Sequence, residues 1–236
     1  MRRFLPLLFL ALAACGAVPI ATTPTGSAPS TLAEQRAERA TRQFIDVATT
    51  VEPVVEDECR RSTRGLNCDF LIVVDDRPAA EANAFQTLDD YGRPILAFNL
   101  AMIASVQNPD ELAFVMSHES AHHILGHLAR VEEDAAVGAI IFSGLAAMSG
   151  ADDAAVRTAE EFGASVGART FSKEYELQAD QLGTILAIKA GYDPLKGAAF
   201  FTRIPDPGDR FLGSHPPNAA RIEIVRRTAE TYRATN

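Results

Sequence analysis

The chain has 236 residues, 47% hydrophobic and 22% charged, the composition of a globular protein with a sizeable core and not of a disordered one. Its 22 basic and 31 acidic residues leave a formal charge of −9. Such a chain lacks the basic patch that displaces counterions from phosphates, so no nucleic-acid partner is expected.

The first residues, MRRFLPLLFLALAAC, do not belong to a fold. Arg2 and Arg3 form a basic head, and residues 4–12 an apolar stretch too short to span a bilayer. Leu12-Ala13-Ala14-Cys15 has the form of a lipoprotein signal, in which cleavage after residue 14 leaves Cys15 N-terminal and lipidated. The plainer alternative is an ordinary secretory signal with Cys15 a bystander. Residues 15–30, rich in Pro, Thr, Ser and Gly, then form a flexible linker that anchors the protein to a membrane without spanning it, and residues 31–236 form one domain. Export permits disulfides, and Cys59 and Cys68 flank a turn-like stretch with Gly65 and Asn67, so a bridge between them is expected over two unrelated thiols.

Thr31-Leu32-Ala33-Glu34 has capping-box form and predicts a helix to about Val51. The run DFLIVVD at 69–75 predicts a buried strand; residues 82–88 and 94–99 predict two more, joined across Asp89-Asp90-Tyr91-Gly92. Asn108-Pro109-Asp110-Glu111 is a helix start, and that helix is expected to reach about Val131. The apolar segment 135–148 predicts a buried helix, with a shallow membrane or substrate contact, or partner docking, as the other possibilities. Further helices are expected over 152–162, 172–190 and 218–232. The fold class is α+β, predominantly helical, with a small sheet toward its N-terminal side.

Four of the five histidines fall within HESAHHILGH, residues 118–127. His118-Glu119-Ser120-Ala121-His122 is H-E-x-x-H inside a predicted helix, where positions four apart sit about 40° apart around the axis. Both imidazoles therefore share a face and can hold one metal ion, zinc by its preference for imidazole and carboxylate. Glu119 on the adjoining flank can take a proton from an attacking water and pass it to a leaving amine. His123 and His127 turn away from that face along a continuous helix and are assigned to packing or support. Leu125 and Leu128 stand where the metzincin pattern needs Gly and His, which excludes that class. A third ligand has to come from elsewhere, and Glu176 is the best source, with Asp180 on the same helical face orienting a ligating histidine. Glu174 is the weaker candidate, and an acidic solvated stripe is the plain reading of Glu176 and Asp180 taken alone.

Together with Asn83-Ala84-Phe85, Asp110 to Ala113, Ala190 to Pro194, Ser214-His215-Pro216-Pro217 and Arg221, these motifs resemble the gluzincin metallopeptidases of the CAAX prenyl protease and HtpX type, peptidase family M48. The similarity covers about residues 72–225, and Lys173 and Gln178 depart mildly from it. The resemblance implies a zincin-like fold, one Zn2+ held by His118, His122 and Glu176, and Glu119 as general base. It also implies an active-site role for His215, stabilising the oxyanion or capping the zinc. Without a transmembrane helix, the chain is placed with the soluble periplasmic lipoprotein branch. The implied function is a zinc endopeptidase of envelope quality control, acting on misfolded or extended envelope proteins, with assembly proteins as possible partners. Gly16 after Cys15 favours the outer membrane over the inner. The competing reading is a chaperone-like or assembly lipoprotein whose structural zinc is closed by His215.

Overall fold

The computed structural model describes residues 31–77, 81–170, 172–208 and 215–235. The signal, the linker and Cys15 lie outside the described residues, as does Ser214.

Helix α1, Leu32–Ser62, opens on a reciprocal capping box: Glu34 N donates to Thr31 Oγ1 at 3.2 Å and Thr31 N to Glu34 Oε2 at 2.6 Å. It runs eleven residues past the expected end. Its buried stripe, Phe44, Val47, Val51, Val55 and Cys59, carries on at helical spacing through Pro53. An interior proline costs about 3 kcal/mol, and burying a valine gains about 1.5–3 kcal/mol, so two or three core side chains outweigh the break. A disulfide joins Cys59 to Cys68, their Cα atoms 5.7 Å apart, and ties the end of α1 to the loop before the sheet.

The sheet has the order β1-β3-β2. Strand β1, Leu71–Asp75, runs parallel to β3, Pro94–Asn99, and β2, Ala84–Leu88, pairs antiparallel to β3 with Phe85 opposite Ala97. Asp89 organises the hairpin by accepting from the backbone N–H of Tyr91 and Arg93, and Gly92 takes φ 76°. The expected burial of the first strand is corrected. β1 is an edge with Val74 44% exposed, and β3 is the covered strand, because only β3 has neighbours on both sides.

After the short α2, Leu100–Ser105, helix α3, Pro109–Ile124, passes through the centre of the molecule. Asn108 caps it, Oδ1 accepting from Glu111 N, and residues 111–118 are all buried. Such a helix carries no narrow apolar stripe because it is covered on most sides, by α1, by the sheet and by the helices that follow. The expected continuation to Val131 does not occur. Gly126 adopts the left-handed conformation (φ 67°, ψ 30°), and a new helix α4, His127–Met148, sets off from it.

Helix α4 pairs with α5, Asp153–Thr170, as a hairpin. Gly138, Gly163 and Gly167 let the backbones touch; a Cβ on Gly138 would meet the Gly163 carbonyl oxygen at 2.1 Å. The prediction that 135–148 is a buried helix is corrected: Ile140 is 72% exposed and Met148 87%. One glycine-lined face packs on α5, and nothing among the described residues covers the other. Helix α6, Ser172–Lys189, crosses α3, and α7, Pro194–Ala198, with a 3-10 turn, Ala199–Thr202, leads toward the last helix α8, Asn218–Thr235. No helix among the described residues is long and apolar enough to cross a membrane.

Candidate metal centre and cleft

His118, Glu119 and His122 all project from α3, whose packing over residues 111–118 fixes their positions. Glu176 and Asp180 come from α6, and the two helices approach closely because Gly183 has no side chain. A Cβ there would lie 3.0 Å from the Cα and N of His118.

The rings of His118 and His122 meet with their Nε2 atoms 3.1 Å apart. Glu176 reaches between them, Oε1 3.3 Å from His122 Nε2 and Oε2 3.6 Å from His118 Nε2. One ligand atom from each of the three residues lies within 4.8 Å of the others. Two imidazoles and one carboxylate, all aimed at one point, fit a zinc ion with an open fourth position. His215 stands at the rim, 54% exposed, its Nδ1 3.3 Å from Glu176 Oε2. Glu174, exposed, accepts instead from the Gln178 amide.

The electrostatics follow from burial and pairing. Burial alone would lower the His118 pKa, but its bonds to Asp180 and Glu176 carry it up to about 10. Burial would likewise raise Glu176 and Asp180. Contacts with His118, His122 and His215 hold Glu176 well below the usual carboxylate range, and Arg221 holds Asp180 low. Burial raises the Glu119 pKa, since it has no such direct bond to offset it.

Asp180 Oδ1 lies 2.9 Å from His118 Nδ1, on the side of the ring away from Glu176, where it can fix that ring's orientation. Arg221 of α8 completes this corner by donating from Nε and Nη2 to the two Asp180 oxygens at 2.7 Å, its guanidinium 4.0 Å over the Phe201 ring. Sequence reasoning gave Arg221 no role, since a single arginine 41 residues from its partner leaves no local pattern. His123 is directed out of the site: its Nε2 bonds the Asn67 carbonyl and its ring packs edge-on to Phe70. His127 does not turn away as a continuous helix would have required. The left-handed Gly126 brings it back against His122, ring nitrogens 2.9 Å apart.

A cleft of ≈ 840 Å³ surrounds the site, with Glu119, His118, His122 and Glu176 on its wall. Strand β2 lines one side through Ala84, Phe85 and Gln86, and Phe200, Phe201 and Ile204 line another. The fold is predominantly helical α+β, and its cleft holds a group of side chains able to bind a metal ion. A model of peptidase family M48 matches residues 42–229, and the chain belongs to that family, whose members are zinc-dependent. The chain is also similar to a putative beta-barrel assembly-enhancing protease of Vibrio cholerae, 32% identical over 164 residues covering 64% of this chain and 33% of the relative. The beta-barrel assembly-enhancing protease of Escherichia coli K12 is 29% identical over 149 residues, 56% of this chain and 30% of the relative. The chain thus spans about a third of the length of these curated relatives.

Proposed function

We propose that this protein is a zinc-dependent endopeptidase of the cell envelope, hydrolysing misfolded or extended envelope proteins. The observation that carries the reading is the convergence of His118, His122 and Glu176 on one point of a cleft that also holds Glu119. These three residues would hold the metal. Zinc bound there supplies Lewis acidity, polarising the scissile carbonyl and making water nucleophilic near neutral pH. Glu119 takes the proton of the attacking water and returns it to the leaving amine, a role its raised pKa suits. Asp180, held by Arg221, keeps His118 turned toward the metal.

An extended substrate is supported by β2, which pairs with β3 along one edge while its residues line the cleft. A polypeptide can add there as a further strand, reading main chain more than side chain. Membrane attachment through Cys15, on the periplasmic face of the outer membrane, and contact with envelope assembly proteins complete the proposal. The names of the relatives support that setting.

The proximity of His215 Nδ1 to Glu176 supports a second reading, in which His215 closes the zinc site and the protein acts as a chaperone-like or assembly lipoprotein. Casein cleavage by the zinc-loaded chain, abolished by a chelator and by Glu119→Gln, is the outcome expected of the endopeptidase. A protein that binds zinc stoichiometrically yet cleaves no more than Glu119→Gln would favour the closed site.

A further inference from the structure

We propose that His127 is a positioning residue for His122, and that Gln178 sets the direction of the hydrogen bonds between them. The inference rests on the zinc site proposed above. Each of the two histidines presents Nε2 to the centre and leaves Nδ1 on its far side. For His118 that far nitrogen meets Asp180; for His122 it meets Nδ1 of His127 at 2.9 Å. The two ligands thus have unlike supports, one a carboxylate and the other a second imidazole.

Two nitrogens facing each other share one proton, and the network around them decides which carries it. Gln178 fixes the outer end. Its Nε2 donates to Glu174 Oε1 at 2.9 Å, which assigns the other amide atom as oxygen. That oxygen accepts from Arg130 Nη1 at 3.0 Å and faces His127 Nε2 at 3.2 Å. A carbonyl oxygen can only accept, so His127 Nε2 carries its proton and donates. In the neutral ring His127 Nδ1 is then an acceptor, which places a proton of His122 on Nδ1 and makes Nε2 the nitrogen that His122 would offer to a metal at the centre. Stacking holds the His127 ring in place: Tyr175 lies against it at 4.9 Å and 17°, and Arg130 covers the Tyr175 ring at 4.2 Å. Gln178 is one of the two positions where the chain departs from its family resemblance, and here its neutral amide does the accepting.

Zinc affinity, measured by competition with a chromophoric chelator, is the first test, alongside thermal melting of the metal-free proteins. His127→Leu removes the acceptor and should weaken zinc binding about 10- to 100-fold, the usual cost of losing such a support. His127→Asn, whose side-chain oxygen stands near the position of Nδ1, should recover most of that loss while melting no higher than His127→Leu without metal. Gln178→Leu should weaken binding by a smaller factor and Gln178→Glu should not. Equal affinity for His127→Leu and His127→Asn, or His127→Leu within about twofold of the parent, would overturn the proposal. Imidazole nitrogen-15 shifts of the zinc-loaded parent test it without any variant: a proton on His127 Nε2 is expected, and one on Nδ1 overturns it. A parent that binds no zinc removes the proposed metal site itself, and this inference with it.

Discussion

Asp180 and Arg221 form a buried bidentate ion pair, with both carboxylate oxygens 2.7 Å from the guanidinium, and this pair is a polar link between α6 and α8 beside the metal-competent residues. Removing one member strands a buried charge, which is far more costly than the net worth of the pair. Asp180→Ala is expected to destabilise the protein by about 3–5 kcal/mol in urea denaturation. The double variant Asp180→Ala/Arg221→Leu should cost clearly less than the sum of the single changes. Strict additivity would mean that the two residues are not energetically coupled.

Zinc uptake should release protons. In the metal-free protein the His118 pKa is raised from 6.5 to about 10, so its pairing stabilises the fold fully below about pH 6.5 and is lost as pH rises through about 10. At pH 8 the ring therefore carries a proton that a metal has to displace. Calorimetric titration with zinc in buffers of different ionisation enthalpy should show about one proton released per zinc at that pH. A heat independent of the buffer would contradict this.

His215→Ala distinguishes a cap from a transition-state group. If His215 covers the centre through Glu176, its removal should raise casein cleavage and leave the fold unchanged. A plain loss of activity with zinc binding intact would instead make it an oxyanion-stabilising residue.

The Cys59–Cys68 bridge closes a loop of sequence separation 9. Replacing both cysteines with serine should lower stability by about 2–3 kcal/mol in the chain-entropy account. Equilibrium denaturation with and without reductant measures it, and the reductant should have no effect on the double-serine protein.

Gly183→Ala should act at a distance from the proposed metal ligands themselves. The new methyl would press on the backbone at His118, 3.0 Å away, and move α6 outward by a few tenths of an ångström. Glu176 and Asp180 travel with α6, so zinc affinity should fall along with stability. Unchanged affinity by chelator competition would show that the helices adjust without moving the centre.

Much of this protein is legible along the chain. The caps at Thr31 and Asn108, the Asp89 turn, the strands at 84–88 and 94–99 and the spacing of His118, Glu119 and His122 are short-range patterns, each fixed by a few neighbouring residues. Local pattern falls short where the outcome depends on a partner far away. The length of α1 was set by what its stripe meets beyond Pro53. The exposure of Ile140 and Met148 followed from α4 having only α5 to pack against.

The chemistry available is written in local pattern: a helix with two histidines and a glutamate on adjoining faces, and a second helix with carboxylates four apart. Periodicity and side-chain type are local properties, which is why they can be seen there. Asp180 apart, the supports of these groups come from chain crossings. One left-handed residue, Gly126, returns His127 to His122, and the missing side chain of Gly183 brings α6 up to α3. Arg221 arrives from a helix 41 residues further on to neutralise Asp180. Such contacts arise from chain crossings and from the need to satisfy every buried polar group, and no repeat along the sequence encodes them.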